Sequence, residues 1–185
     1  MRHFDLGLAF LIFLLAGSML ITPNPASGAS AAEIDRGVRS ALQKLYAQSA
    51  SAKALGQKAK AILVFPAIVK GGFVVGGQYG EGALLKNGKV AGYYNTIQAS
   101  YGLQVGLQKY GYAMFLMNDS ALNWLNKTNG WELGTGPSIV IVDAGKAASM
   151  STTTLHSEIY AFFFSQKGLM GGLGLQGTKI TRISK

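Results

Sequence analysis

The sequence contains GLGLQG at residues 172–177, which matches the glycine pattern G-x-G-x-x-G of loops that hold a dinucleotide pyrophosphate. That chemistry needs a strand before the loop, a helix after it and an acidic residue about 20 positions further on. Only TKITRISK follows, and its alternation predicts a strand, with Lys179, Thr181 and Ile183 on one face and Ile180 and Arg182 on the other. The glycines therefore do not indicate a dinucleotide site, and we predict no cofactor.

Few other residues could carry out covalent chemistry. The chain has no cysteine, which excludes thiol catalysis and thiolate metal sites. His156 is the only histidine after the N-terminal segment, and Glu158 could share a strand face with it as an acid–base pair. The segment STTTLHS at 151–157 contains no G-x-S-x-G nucleophile elbow. We therefore expect a protein that is not an enzyme and holds no metal, with the His156–Glu158 pair as the catalytic alternative.

The N-terminal segment has the layout of a secretory signal peptide. Arg2 and His3 precede an apolar run from Leu6 to Ile21, and prolines and small residues follow. The run is shorter than the roughly 20 residues of a membrane-spanning helix. An uncleaved membrane anchor is the alternative. We expect residues 1–31 to be a signal peptide, 32–185 to be one domain, and the protein to be exported to a bacterial periplasm or the cell exterior.

The charge balance points to an acidic partner. The 185 residues include 17 Lys and Arg against 8 Asp and Glu, for a formal net charge of +9. Such a charge favours association with nucleic acid, anionic lipid or phosphorylated glycan. Export argues against nucleic acid, and the basic residues are spread along the chain. We expect peripheral association with an anionic lipid or membrane surface; a charge that serves only solubility is the alternative.

Two helices are predicted at the start of the domain. SAAE at 30–33 fits a capping box, and the helix that follows places Ile34, Val38, Leu42 and Leu45 on one apolar stripe. SAKALGQKAK predicts a second, shorter helix that carries Lys58 and Lys60. A basic amphipathic helix can lie on a membrane surface, although packing against its own domain also explains such a stripe.

The rest of the chain predicts mostly strands. Asn87-Gly88 between apolar residues indicates a hairpin with a type I′ turn. The other predicted elements are strands at 61–65, 70–77, 100–108, 110–118, 137–143, 157–165 and 168–183, and a helix at 119–127. Because strands do not alternate regularly with helices, we expect an α+β fold. In it, N-terminal helices pack on a curled antiparallel sheet, barrel- or sandwich-like, with one inserted helix.

Two of these strands have one face of glycine and polar residues. In 100–108, Tyr101, Leu103, Val105 and Leu107 alternate with glycine and glutamine. The segment from Gly172 to Thr178 repeats the pattern. Glycine within a strand is usually kept where another backbone or a ligand comes close. Either a helix or a ligand is expected to cover this surface.

Three segments resemble the signatures of the SYLF domain family. They are AKAILVFPAIVKGGFVVGGQYGEGALL, YYNTIQASYGLQVGLQ and GLMGGLGLQGTKITRI, in family order from about residue 52 to the C-terminus. The resemblance implies a lipid-binding module. In eukaryotic members the resemblance also implies phosphoinositide and actin binding; we expect this chain to depart from those members, with a signal peptide and no partner domain such as SH3 or FYVE. Phosphatidylglycerol, cardiolipin or the phosphates of lipid A are the expected ligands.

The resemblance carries no catalytic residues. Lys70 in VKGG and Lys179 in GTKI match the family motifs, and each lies beside glycines where a phosphate could approach exposed amides. Together with Lys58, Lys60 and Arg182 they form the expected lipid-binding set. Solvated lysines at strand ends are the alternative for both motif positions.

An envelope adaptor protein is the other expected function. It would bind another protein through a sheet edge or the glycine-lined face. The segment AFFF at 161–164, Trp124 and Trp131 could then supply aromatic anchors, although these side chains could equally belong to the core.

Overall fold

The computed structural model describes residues 28–127, 131–132, 136–143, 157–167 and 177–185. Within these ranges the elements are α1 (Ala31–Gln48), α2 (Ala50–Lys58), β1 (Ala61–Lys86), β2 (Lys89–Leu116), α3 (Asp119–Lys127), β3 (Trp131–Glu132), β4 (Ile139–Asp143), β5 (Ile159–Lys167) and β6 (Lys179–Ile183). The expected α+β class is confirmed, as is the helix inserted between strands. Residues 1–27 of the predicted signal peptide, His156 and the first part of the predicted strand 168–183 lie outside the described residues, whereas Ser30 and Ala31 of that predicted segment begin α1.

The predicted capping box starts α1. The Ser30 hydroxyl accepts a hydrogen bond from the Glu33 amide, and the Glu33 carboxylate accepts one from the Ser30 amide at 2.8 Å. The Ser49 hydroxyl caps α2 in a similar way by accepting from the Ala52 amide. Because Ser49 is also the residue that ends α1, the chain turns between the two helices without a loop.

The two longest strands form one antiparallel hairpin. The separate strands predicted at 61–65 and 70–77 are parts of the 26-residue β1, and 100–108 and 110–118 are parts of the 28-residue β2. Pairing runs from Ala61 with Leu116 to Lys86 with Lys89, interrupted by three register shifts. Asn87 and Gly88 have φ of 51° and 74°, which confirms the predicted type I′ turn.

β2 is the centre of a six-stranded sheet. Its free edge pairs with β5 near the C-terminal end of the strand and with β6 nearer the turn. β3 then pairs with β6, and β4 pairs with β5. The sheet is mixed, because β4 runs parallel to β5, whereas the other described strand pairs are antiparallel as expected. Within the described residues the sheet curls but does not close into a barrel.

The long hairpin folds back so that its two halves pack face to face. A Cβ added at Gly80 would lie 2.8 Å from the Ala67 carbonyl oxygen, and one at Gly82 would collide with the Val64 carbonyl oxygen. Glycine at these positions therefore permits the two halves of β1 to approach closely.

The inner face of the folded hairpin carries an aromatic core. Phe65 packs on Tyr112 with ring centroids 4.9 Å apart, and Phe163 of β5 contacts both Tyr110 and Tyr112. A second core lies between the outer face of the sheet and the helices. In this core the α1 residues Ile34, Val38 and Leu45 pack on strand residues whose side chains point to the outer face. The predicted apolar stripe and the packing of the helices on the sheet are therefore confirmed.

Candidate functional site

The inner face of the hairpin becomes polar toward its glycine-rich end. Along β2 the inward side chains run from Leu116 through Met114 and Tyr112 to Tyr110, and the next inward position is Gln108. Tyr110 donates a hydrogen bond to the Gln78 side-chain oxygen. We call the five buried inward groups at this end the polar interior: Lys70, Gln78, Gln108, Tyr110 and Thr178.

Three members of the polar interior hydrogen-bond one another. Gln78 accepts from Tyr110 and donates from Nε2 to the Thr178 hydroxyl at 3.4 Å, which ties β1, β2 and the start of β6 together. Burial raises the pKa of Tyr110 to about 12, an effect that the hydrogen bond with Gln78 partly offsets. The Tyr110 hydroxyl therefore stays protonated at neutral pH and acts as a donor, which suits a structural role and not a catalytic one.

Lys70 and Gln108 form the last side-chain row of the polar interior. They are opposed residues of β1 and β2, and their side chains are only 9% and 5% exposed. Two positions further along each strand, the next inward row is Gly72 opposite Gly106, which adds no side chain. Gly106 is exposed. Among the residues whose side chains the structure describes, the neighbour of the Lys70–Gln108 row on that side is therefore glycine backbone.

The outer face at the same end has the opposite character. Tyr79 of β1 is opposed to Ile97 of β2, which is opposed to Lys179 of β6, so the three side chains form one outward row. Tyr79 and Ile97 are each 47% exposed, and Lys179 is exposed.

A second outward row crosses the other half of the hairpin. Val69 is opposed to Lys109, and Lys109 to Lys167 of β5. Val69 is 46% exposed, and Leu107, two residues before Lys109 on the same face, is 67% exposed. Val69 and Tyr79 line one groove, so the two rows meet along β1. We call the two rows, together with Leu107, the apolar–lysine face: Val69, Tyr79, Ile97, Leu107, Lys109, Lys167 and Lys179.

The opposition of Lys109 and Lys167 has an energetic consequence. Like charges directly opposite each other on neighbouring strands destabilise a sheet. Neither lysine forms an ion pair with a carboxylate of the described residues. The arrangement costs folding free energy that an external anion would recover.

The structure separates the five lysine and arginine residues predicted to bind lipid. Lys58 and Lys60 are exposed where α2 joins the start of β1, and Lys60 lies 3.5 Å from Asp119. Lys70 follows ten residues later along the strand, or roughly 30 Å of extended chain. The predicted set therefore does not form a single site.

Only two of the predicted residues lie at the glycine-rich end. Lys179 belongs to the apolar–lysine face, and Lys70 belongs to the polar interior, on the other side of the sheet. Arg182 is exposed and lies over Gly92, toward the turn of the hairpin. Sequence reasoning missed the apolar members and the opposed lysines, since neither the exposure of an apolar residue nor strand register can be read from a strand taken alone.

The alternation of strand 100–108 signalled the site but not its orientation. Leu107 points outward and Gln108 inward, so at these two positions the polar side chain is the one that faces the interior. This follows from continuity with Tyr110 and Tyr112, whose large rings occupy the core.

The candidate catalytic pair gains no support from the described residues. Both carboxylate oxygens of Glu158 accept hydrogen bonds, one from Asn118 Nδ2 at 3.3 Å and one from the Ser138 amide at 3.2 Å. Glu158 thus joins the segments before α3 and before β4. Within the described ranges, no three His, Cys, Asp or Glu side chains are grouped to hold a metal ion.

The aromatic anchors considered for a protein partner are mostly core residues. Phe162, Phe163 and Phe164 are each less than 5% exposed, and Trp124 packs on the inner core. The side chain of Trp131 lies outside the described residues. None of the described helices is long and apolar enough to cross a bilayer.

Comparison with known proteins gives one family. The family model described as "Ysc84: Las17-binding protein actin regulator" matches residues 97–185, which run from the second part of β2 to the C-terminus. The matched region contains Ile97, Leu107 and all three lysines of the apolar–lysine face. No curated protein matches the chain.

Proposed function

Residues 97–185 of this chain belong to the SYLF family, and on that premise we propose that the protein is a non-enzymatic module that binds anionic membrane surfaces through the apolar–lysine face. The family is associated with lipid binding and with binding of other proteins. We propose lipid binding for this chain, at one end of the sheet.

The opposed pair of Lys109 and Lys167 is the observation that carries the proposal. Two exposed ammonium groups on adjacent strands repel each other, and a layer of lipid phosphates beneath them would remove that cost. Near an anionic bilayer each lysine contributes about 1 kcal/mol of attraction. With Lys179, the face therefore gains roughly 3 kcal/mol, which supports reversible binding.

The exposed apolar side chains supply the second part of the affinity. Val69, Tyr79, Ile97 and Leu107 lie beside these lysines. A surface with apolar side chains flanked by lysines suits the boundary between lipid headgroups and acyl chains, where the lysines reach phosphates and the apolar groups leave water. A soluble protein seldom groups such side chains without a partner.

Location and ligand follow from the N-terminal segment and the charge. We propose that the protein is exported and associates peripherally with an envelope membrane. Phosphatidylglycerol, cardiolipin and the phosphates of lipid A are the anionic groups available there. The formal net charge of +9 favours each of them over zwitterionic lipid.

Co-sedimentation with vesicles tests this function. The chain from Gly28 onward contains every described helix and strand and retains the hydrogen bond from the Ala29 amide to Glu81. We expect it to sediment with vesicles that contain phosphatidylglycerol, to ignore pure phosphatidylcholine, and to lose binding at high salt because salt screens surface charge. Failure to bind the anionic vesicles at low salt would refute the proposal.

A protein-binding function is the second candidate, because one edge of the sheet is suited to it. β4 is the terminal strand of the described sheet, and its Val140 and Ile141 are 36% and 50% exposed. An exposed strand edge can pair with an extended segment of another protein. A stoichiometric protein partner that is retained in detergent and lost on Ile141→Pro would favour this candidate.

A further inference from the structure

We infer that the polar interior forms a headgroup subsite, at which Lys70 binds a phosphate and Gln108 accepts a hydrogen bond from a hydroxyl of the same ligand. The inference rests on the proposed function and narrows its ligand to a phosphodiester that carries a free hydroxyl, of the glycerol phosphate type. Both residues lie on the inner side of the sheet, opposite the apolar–lysine face.

Gln108 is the residue that points to a ligand. Its Oε1 is buried and accepts no hydrogen bond from any described group. A buried acceptor without a donor is costly, and most such groups in folded proteins are satisfied. The neighbouring Gln78 shows the contrast, because both ends of its amide are bonded within the polar interior. Gln108 therefore has an unfilled requirement for a donor.

Lys70 determines the charge of that ligand. Its register places it directly opposite Gln108, and its side chain is 9% exposed. A lysine ammonium attracts an anion more strongly when it is shielded from water. A group that meets both residues must combine a negative charge with a hydroxyl donor within one small unit, and a glycerol phosphodiester does so.

The glycine row provides the route of approach. Gly72 and Gly106 are the next inward pair beyond Lys70 and Gln108, and neither residue places a side chain over this row. Gly106 is exposed, and Leu107 next to it belongs to the apolar–lysine face. A headgroup of the bilayer contacted by that face would therefore lie close to this opening.

The discriminating experiment compares two lipids of equal charge. Phosphatidylglycerol and phosphatidylmethanol are both phosphodiesters with one negative charge, but only the first carries free hydroxyls. Vesicles of phosphatidylcholine with an equal fraction of either lipid are titrated with the chain from Gly28 onward. We expect about fivefold tighter binding to phosphatidylglycerol, the effect of one hydrogen bond to a buried acceptor.

Two variants test whether Gln108 is the source of the preference for phosphatidylglycerol. Gln108→Met keeps the length of the side chain but removes the acceptor, and we expect the ratio between the two lipids to fall to about one. Gln43→Met makes the same change on the exposed surface of α1, and its ratio should stay near fivefold. Because Gln108→Met removes an unsatisfied buried group, we expect its melting temperature to equal or exceed that of the unchanged protein.

The outcomes separate this inference from the proposed function. Equal binding to both anionic vesicles by the unchanged protein would overturn the headgroup subsite and leave membrane binding standing. Binding to neither would refute the proposed function. Free glycerophosphoglycerol, a phosphodiester with free hydroxyls, is then titrated by calorimetry to test the subsite alone: binding heat that is lost in Gln108→Met would support the subsite, and no heat would overturn it.

Discussion

Lys70 and Gln108 face each other across β1 and β2 with both side chains buried, while their chain neighbours Val69 and Leu107 are exposed. This end of the sheet therefore holds polar groups inside and exposed apolar groups outside, whereas at the other end both faces carry buried apolar cores. A bilayer next to the outer face and a headgroup at the inner face would satisfy both groups of side chains.

The opposed lysines should affect binding and stability in opposite directions. For Lys109→Gln combined with Lys167→Gln, we expect vesicle affinity to fall about thirtyfold, because two attractions of about 1 kcal/mol are lost. The unfolding free energy should rise by a few tenths of a kcal/mol as the repulsion disappears. Co-sedimentation and urea denaturation measure the two quantities.

A matched control separates position from total charge. Lys44→Gln combined with Lys53→Gln removes the same charge from the exposed surfaces of α1 and α2. Its vesicle affinity should stay within about threefold of the unchanged protein, which is the effect expected of long-range charge at physiological salt. If both double variants lost vesicle affinity equally, the apolar–lysine face would not be the binding surface.

Leu107 tests whether apolar side chains enter the bilayer. Leu107→Ser should lower vesicle affinity about tenfold, because burial of much of a leucine side chain contributes about 1.5 kcal/mol. Stability should change little, since the side chain is 67% exposed in the free protein. Ile141→Ser, at an exposed apolar position of β4, is the control and should bind vesicles normally; a comparable loss there would argue for nonspecific adhesion.

Gly82 tests the folding back of the hairpin. A Cβ at this position would collide with the Val64 backbone, which cannot move aside as a side chain can. We expect Gly82→Ala to reduce the unfolding free energy by about 3 kcal/mol. At Gly77 the nearest atom to an added Cβ is 3.5 Å away, so Gly77→Ala should change it by less than about 1 kcal/mol. If urea denaturation gave similar losses of unfolding free energy for both variants, Gly82 would not lie close to the Val64 backbone.

Glu81 predicts an acid-dependent loss of stability. Burial raises its pKa, but hydrogen bonds from Tyr79, Lys185 and the Ala29 amide outweigh this and hold the pKa below the ordinary value of 4.5. Because the folded-state pKa is the lower one, the stabilisation is complete above pH 4.5 and is lost as the pH falls through the folded-state value. Melting temperatures across this range should show a shallower acid decline for Glu81→Gln.

The exposed ion pair of Lys60 and Asp119 supplies the comparison for Glu81. Its side chains are 54% and 71% exposed, against 14% for Lys185 and 10% for Glu81. Exposed pairs contribute little to stability. Asp119→Asn should therefore leave the fall in melting temperature at acid pH unchanged. If Asp119→Asn reduced this fall more than Glu81→Gln did, Glu81 would be excluded as the main source of the acid-dependent loss of stability.

Local signals sufficed wherever the determining interactions are close in sequence. The Ser30–Glu33 capping box, the apolar stripe of α1 and the Asn87-Gly88 turn were all predicted correctly, because each depends on residues within one or two turns of chain. The SYLF resemblance was also carried by the sequence alone, and the family match over residues 97–185 confirms it. The parallel pairing of β4 was missed, since nothing within a strand states the direction of its neighbour.

The candidate site was decided by tertiary structure. The sequence determined that β2 alternates Leu107 with Gln108, but only the folding of the hairpin determined which of them faces the interior. Likewise, the sequence contains Lys109 and Lys167 without indicating that they meet, because 58 residues separate them and strand register alone sets them opposite each other. Alternation along a strand is a local property of the backbone, whereas burial and charge opposition depend on which strands become neighbours.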